Sequence, residues 1–146
     1  MGSLVEVIKD EQKRKAVIDD CVALIEAEVA EKKGLSGMAI KAGYKTVKSI
    51  RPGTIPMALH HMLDDFAAKV DPYWQQCLSE GKDPRSFFTD KRIEIANALL
   101  SITDARAQRA RNKVIAKTYN KLRPTAVDHV AAAMPRLADL LKKYAA

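Results

Sequence analysis

Apolar residues recur every three or four positions through most of this chain, which is the spacing of one face of an α-helix. Between about residues 11 and 32, for example, Ile18, Val22, Ile25 and Val29 form one stripe. No stretch alternates apolar and polar residues with the period of two that indicates a β-strand. A chain of 146 residues suits one domain, here residues 1–146. The sequence therefore predicts an all-α protein, a single compact bundle of about six to eight helices.

Prolines and capping residues predict where several helices begin and end. Ser3, with Glu6 three residues later, is typical of a capping box at the start of a short first helix. Proline disfavours the α conformation in the residue before it, so the pairs Arg51–Pro52 and Arg123–Pro124 are predicted to end helices. By the same rule, Asp71–Pro72 and Asp83–Pro84 are each predicted to begin a new helix.

Two further capping signals lie inside helical segments. Ser36 is predicted to cap the helix that ends before Pro52. A helical pattern extends from about Arg85 to Ser101, and the residues Thr103 and Asp104 then offer a new cap, which predicts a bend there.

The last segment has the most regular spacing in the chain. Its apolar residues repeat as in a heptad seam, at Val127, Val130, Met134, Leu137, Leu141 and Tyr144. Pro135 interrupts the seam, which predicts two short helices with this proline in the first turn of the second. The segment is either a closing helix packed on the bundle or the seam of a homodimer.

Positive charge is concentrated in two predicted helices, Ile40 to Arg51 and Val114 to Arg123, in a chain of net charge +7. At 100° per residue, each helix has an apolar stripe and a separate row of lysines. The predicted anion-binding residues are Lys41, Lys45, Lys48, Arg51, Lys113, Lys117, Lys121 and Arg123. Rows that share a face could contact phosphates, whereas rows that point apart would be solvated faces.

The two basic helices also resemble each other in sequence. Each is followed by Arg-Pro, and the matching apolar triplets are Ile40, Tyr44 and Val47, and Ile115, Tyr119 and Leu122, which lie 75 residues apart. A weak internal duplication is one interpretation of this match. Both tyrosines fall on the apolar stripes, so neither helix presents an aromatic ring on which bases of a single strand could stack.

One cluster has the residue types of a metal site. His60 and Asp64, and His61 and Asp65, are i,i+4 pairs on one predicted helix. The first pair projects to solvent, and only His61 and Asp65 flank the apolar stripe, which makes these two the weak metal candidates. A catalytic zinc needs three protein ligands, and no third is evident. No phosphate-binding glycine motif is present either. We predict no cofactor and no catalytic residue, and a metal-dependent hydrolase is the least favoured alternative.

The start of the chain lacks the charged and apolar regions of a signal peptide, and no run of apolar residues is long enough to span a membrane. These features predict a cytoplasmic location. The favoured function is a protein-interaction or accessory module, with a protein partner or a second copy of the chain. The alternative is nonspecific binding of nucleic acid or an anionic surface through the two lysine-rich helices.

A resemblance to a known family rests on four stretches, KKGLSGMAIKAGYKTVKSIRPG (32–53), TDARA (103–107), YNKLRP (119–124) and MPRLADLL (134–141). Together they resemble a family of small uncharacterised bacterial proteins that is classed as a domain of unknown function. The resemblance covers most of the chain and implies a bacterial, cytoplasmic, helical protein. It assigns no activity, cofactor or catalytic residue.

Overall fold

The computed structural model of this protein describes residues 3–145. Within that range the chain forms eight α-helices and no β-strand, which confirms the predicted all-α bundle. The helices are α1 Leu4–Val7, α2 Glu11–Glu31, α3 Gly34–Ile50, α4 Thr54–Ser79, α5 Pro84–Asp90, α6 Arg92–Gln108, α7 Lys113–Ala132 and α8 Met134–Ala145. No helix of the described range is both long and apolar enough to cross a membrane.

Local capping signals place the starts of three helices correctly. The Ser3 hydroxyl accepts a hydrogen bond from the Glu6 N–H at 3.2 Å and caps α1. The Asp83 carboxylate caps α5, with Pro84 as its first residue. Pro135 lies in the first turn of α8, as its position in the seam predicts. Ser36 is not a cap, because α3 begins at Gly34 and the residue before it, Lys33, occupies the capping position.

The expectation that Asp71–Pro72 begins a new helix is wrong, because α4 continues through Pro72 to Ser79. A proline inside a helix costs roughly 3 kcal/mol. Its neighbours Val70 and Trp74 are only 4% and 1% exposed, so burial of the apolar face offsets that cost. Asp71 has a different role, since its carboxylate accepts the Leu4 N–H at 2.9 Å and fixes α1 against α4.

The two Arg-Pro pairs behave differently. Arg51–Pro52 follows the end of α3, as predicted, but α7 runs through Arg123–Pro124. Contacts on both sides of the second proline hold α7 in place, since Leu122 packs against α3 and Ala131 is buried further along α7. The predicted bend at Thr103 is also absent, because α6 is continuous to Gln108. The internal duplication stays a prediction.

Within residues 3–145 the buried core consists of two clusters. The larger lies between α4, α5, α6 and α8 and has Trp74, Phe88, Ile95 and Met134 at its centre, all almost completely buried. The smaller joins α2 to α4 and includes Val17, Ile18, Leu59 and Leu63. In α8, three residues are buried against the bundle, namely Met134, Ala138 and Leu141. Within this chain the last segment is therefore a closing helix.

Two chain connections lie at the same end of the bundle. Gly43 of α3 faces Leu122 of α7, while the Lys32 side chain reaches the His129 carbonyl, so α3 and α7 are antiparallel. α6 and α7 are antiparallel neighbours joined by residues 109–112. The connection between α3 and α4, residues 51–53, therefore lies beside the connection between α6 and α7.

Candidate anion-binding site

The end of the bundle formed by these two connections is strongly basic. We call it the basic end, and its members are Arg51, Arg106, Arg109, Arg111 and Lys113. All five side chains belong to exposed residues. None of them has a carboxylate oxygen of the described residues within 4 Å of its charged nitrogens. Unpaired guanidinium and ammonium groups remain free to donate to an anion.

Local sequence explains why these cations gather at this end. Gly53 adopts φ +79, a left-handed conformation that favours glycine, and this turns the chain from α3 directly into α4 beside Arg51. The Asn112 side chain accepts hydrogen bonds from the Val114 and Ile115 N–H groups and begins α7 immediately after Arg111. From Ala105 to Val127 the sequence contains no acidic residue. The N-terminus of α7 adds the positive end of a helix dipole.

The Asp104 carboxylate joins the two arms of the α6–α7 hairpin, and the Thr103 hydroxyl adds a hydrogen bond to the Tyr119 hydroxyl at 2.7 Å. Asp104 of α6 accepts hydrogen bonds from Arg123 Nε at 2.8 Å and from the Tyr119 hydroxyl at 2.5 Å. The Arg123 hydrogen bond contributes most to holding the pKa of Asp104 below its usual range, followed by the bond from Tyr119. Burial, followed by the bond to Asp104, raises the pKa of Tyr119 to about 12. The Asp104 hydrogen bonds thus join α6 to α7 about one turn from the end of α6.

Two of the eight predicted anion-binding residues already have carboxylate partners. Arg123 is bound to Asp104, and Lys48 pairs with Glu26 at 3.0 Å. Arg51 and Lys113 belong to the basic end, while the four other lysines, Lys41, Lys45, Lys117 and Lys121, are exposed along α3 and α7. Because Gly43 faces α7, Lys41 and Lys45 lie about 160° around α3 from that contact and project away from α7.

A groove between α4 and α6 adjoins the basic end. Its volume is about 310 Å³. α4 is antiparallel to α6, because its buried C-terminal half packs with Ile95 near the start of α6. The N-terminal half of α4 therefore lies beside the C-terminal half of α6. Apolar side chains lining the groove are Met62, Ile102 and Ala105, and the polar ones are His61, Asp65, Lys69, Ser101, Arg106 and Arg109.

The histidine and aspartate pairs do not form a metal centre in the described structure. Arg14 of α2 donates to His60 Nδ1 at 3.3 Å and to Asp64 at 3.0 Å, so these two join α4 to α2. His61 and Asp65 are exposed and line the groove rather than flanking the core. Among residues 3–145 no three potential ligands come together at one point. The weak metal candidates therefore lack a third ligand in this range.

Three members of the basic end, Arg106, Arg109 and Arg111, were not among the anion-binding residues predicted from sequence. They lie in the short segment RAQRARNK (106–113), which extends from the last turn of α6 to the first residue of α7, and not on an amphipathic row. The signal that could have found them is the long interval without an acidic residue. Their position at the same end of the bundle as Arg51, however, depends on the antiparallel packing of α3, α6 and α7.

The fold and this surface define a small all-α bundle whose most distinctive feature is the group of exposed cations at its basic end. The chain belongs to the family of unknown function DUF6918, whose model matches residues 4–145. This confirms the family resemblance, and all four stretches that carried it lie inside the matched region. No curated protein and no solved structure matches the chain.

Proposed function

We propose that this protein binds the phosphate backbone of double-stranded nucleic acid through its basic end, without reading base sequence. The observation that carries the proposal is that antiparallel packing places five exposed cations, in or beside two connections, at one end of the bundle, with no carboxylate partner among the described residues. Cations that neutralise phosphates release counterions, and this supplies most of the affinity of nonspecific binding.

The distribution of aromatic residues favours a duplex over a single strand. Trp74, Phe87 and Phe88 are buried in the core. The Tyr119 hydroxyl is bound to Asp104, and the ring lies partly buried between helices. Proteins that bind single strands generally stack bases on exposed aromatic rings. A surface of arginine and lysine at the end of a helical hairpin suits the regular phosphates of a duplex.

The test is fluorescence anisotropy of a labelled 20-base-pair DNA duplex, its single strand and an RNA duplex, from about 50 to 200 mM salt. We expect both duplexes to bind more tightly than the single strand. If all five cations contact phosphate, the logarithm of the binding constant falls with a slope of about −4.5 against the logarithm of salt concentration.

Charge reversal at the basic end gives the decisive comparison. The triple variant Arg51→Glu, Arg111→Glu and Lys113→Glu should lose duplex binding, and its residual salt slope should be smaller by about 2 to 3. The matched control, Lys9→Glu, Arg92→Glu and Lys142→Glu, carries the same charge change on exposed cations elsewhere and should retain most binding. Equal losses in the two variants, or tighter binding of the single strand, would contradict the proposal.

A second candidate function, a protein-interaction module, is favoured by the outer face of α3. Leu35 is 90% exposed and Met38 is 66% exposed, which is unusual for large apolar side chains. With Ala42 they lie within about 60° of one another around the helix, and Lys41 and Lys45 border them on one side. An apolar stripe bordered by lysines is complementary to an acidic amphipathic helix of a partner protein.

This docking role is tested with a labelled amphipathic peptide that has leucine on one face and glutamate on the other. We expect the wild-type protein to bind the peptide, and the variant Leu35→Asp with Met38→Asp to lose binding. A peptide whose leucines are replaced by serine is the control. Peptide binding that survives the double substitution would overturn this role. Dimerisation in sedimentation that disappears in the variant would instead make a second copy the occupant.

A further inference from the structure

The groove between α4 and α6 has the dimensions of a small-molecule site. Its volume of about 310 Å³ lies at the lower end of the roughly 300 to 1,000 Å³ typical of such sites. Its α4 wall extends from His61 to Lys69, which is about 12 Å along a helix axis. On each helix the lining residues repeat at spacings of four, so two continuous helical faces form the walls.

The charges around the groove favour an anionic ligand. Lys69, Arg106 and Arg109 contribute three cations, against the single carboxylate of Asp65. Arg106 and Arg109 lie one turn apart on the same wall. Two guanidinium groups so placed can each offer paired N–H donors to one phosphate group, the geometry for which arginine is best suited.

The apolar side chains indicate that the ligand is more than a free anion. Met62, Ile102 and Ala105 supply an apolar patch between the two walls. A flat ring can lie against such a patch, and methionine sulfur makes favourable contacts with aromatic rings. The Asp65 carboxylate and the Ser101 hydroxyl supply one acceptor and one donor for hydroxyl or amino groups. Binding sites of this kind combine an apolar lining with a few polar groups that fix orientation.

We infer that the groove binds a phosphorylated small molecule of mononucleotide size, with its phosphate at Arg106 and Arg109 and its ring against Met62 and Ile102. Arg106 and Arg109 belong both to the groove and to the basic end, so this site overlaps the proposed duplex-binding surface without coinciding with it. Arg51, Arg111 and Lys113 of the basic end do not line the groove. Conversely, the apolar patch of the groove does not belong to the basic end.

The experiment is isothermal titration calorimetry of the full chain with adenosine monophosphate, adenosine, ribose 5-phosphate and inorganic phosphate at one salt concentration. Adenosine monophosphate should bind with a submillimolar Kd, and each of the other three at least tenfold more weakly. No detectable binding of adenosine monophosphate at millimolar concentration would overturn the inference. So would equal binding of adenosine monophosphate and inorganic phosphate, because the apolar patch would then contribute nothing.

Three variants locate the site. Ala105→Trp fills the groove from an exposed position, and Arg106→Gln with Arg109→Gln removes the donors to the phosphate. Each of these variants should weaken the binding of adenosine monophosphate at least tenfold. The basic-end triple variant, which spares the groove, should bind the nucleotide as the wild type does even if it loses duplex binding. Circular dichroism checks that each variant folds, and Ala105→Glu replaces Ala105→Trp if the latter does not. Unchanged nucleotide binding in the groove variants would overturn the assignment.

Discussion

Asp104 is the residue whose replacement should affect the α6–α7 hairpin most. Its carboxylate accepts hydrogen bonds from both Arg123 and Tyr119, and its side chain is 35% exposed. Asp104→Asn removes the charge and part of the acceptor capacity. Allowing for partial exposure, we expect the free energy of unfolding to fall by about 1 kcal/mol in urea denaturation.

The matched control at this scale is Glu26→Gln, which removes the partner of Lys48. That pair is nearly half exposed on both sides, and a pair of this kind contributes little to stability. We expect a smaller change than for Asp104→Asn. Equal changes in the two variants would mean that the Asp104 contacts contribute no more than an ordinary surface ion pair.

Helix α4 contains two prolines in different positions, and replacing them should change the free energy of unfolding in different ways. Pro72 is exposed in the helix interior, where it removes a backbone hydrogen bond, whereas Pro56 lies in the first turn, where the N–H has no partner within the helix. Pro72→Ala should raise the free energy of unfolding by about 1 to 2 kcal/mol, measured by urea denaturation. Pro56→Ala should leave it unchanged or lower it slightly. A loss of stability in Pro72→Ala would show that the ring itself supports α4.

The close contact between α3 and α7 depends on Gly43. A Cβ atom there would lie 2.6 Å from Leu122 Cδ1 and 3.2 Å from Thr118 Cγ2. Gly43→Leu should therefore lower the free energy of unfolding by about 1 to 3 kcal/mol through overpacking. Ala42→Leu, on the exposed side of the same helix, is the control and should be almost neutral. Thermal denaturation of both variants measures the difference, and equal melting temperatures would contradict a tight contact.

Sequence alone predicted those element boundaries that depend on neighbouring residues. The Ser3 and Asp83 caps and the position of Pro135 in a first turn follow from local hydrogen bonding and proline geometry. The helix boundaries predicted at Pro72 and Pro124 were wrong, because α4 and α7 are stabilised by residues that are distant in the sequence. Burial of Trp74 in the core and contact of Leu122 with Gly43 outweigh the local preference. Local patterns carry no information about such partners.

At the scale of the whole molecule, His129 should make the free energy of unfolding depend on pH. Its Nε2 is buried without a hydrogen-bond partner among the described residues. Burial first, and then the charge of Lys32, lower the pKa of His129 below its usual value of 6.5. The folded state therefore binds this proton less readily than the unfolded state, and its stability falls as pH decreases below 6.5 towards the lowered pKa.

The free energy of unfolding, measured in urea at intervals from pH 8 to pH 5, should decrease below about pH 6.5 in the wild type. It should vary less in His129→Leu. Carboxylates affect the free energy of unfolding at lower pH than His129 does. Hydrogen bonds from Lys143 and Tyr144 lower the pKa of Asp20, and those from Arg136 lower the pKa of Glu31. Their contribution is lost only as pH falls through the range below about 4. Identical slopes above pH 5 in both proteins would contradict the role of His129.

The candidate site could be predicted only in part from sequence. Arg51 and Lys113 were among the residues predicted from sequence, but the amphipathic projection directed attention to rows of lysine along α3 and α7. The basic end instead arises because the antiparallel packing of α3, α6 and α7 places Arg51 at the same end of the bundle as Arg109 and Arg111. The groove likewise forms only where α4 and α6 pack antiparallel to each other.

The walls of that groove come from residues 61–69 and 101–109, which are far apart along the chain and meet only after folding. An unfolded chain therefore has no equivalent site, and any ligand of the groove must shift the folding equilibrium by mass action. A ligand at one hundred times its Kd would add about 2.7 kcal/mol to the free energy of unfolding. A rise in melting temperature across a panel of phosphorylated compounds would thus report occupancy of the groove directly, with no assay of activity.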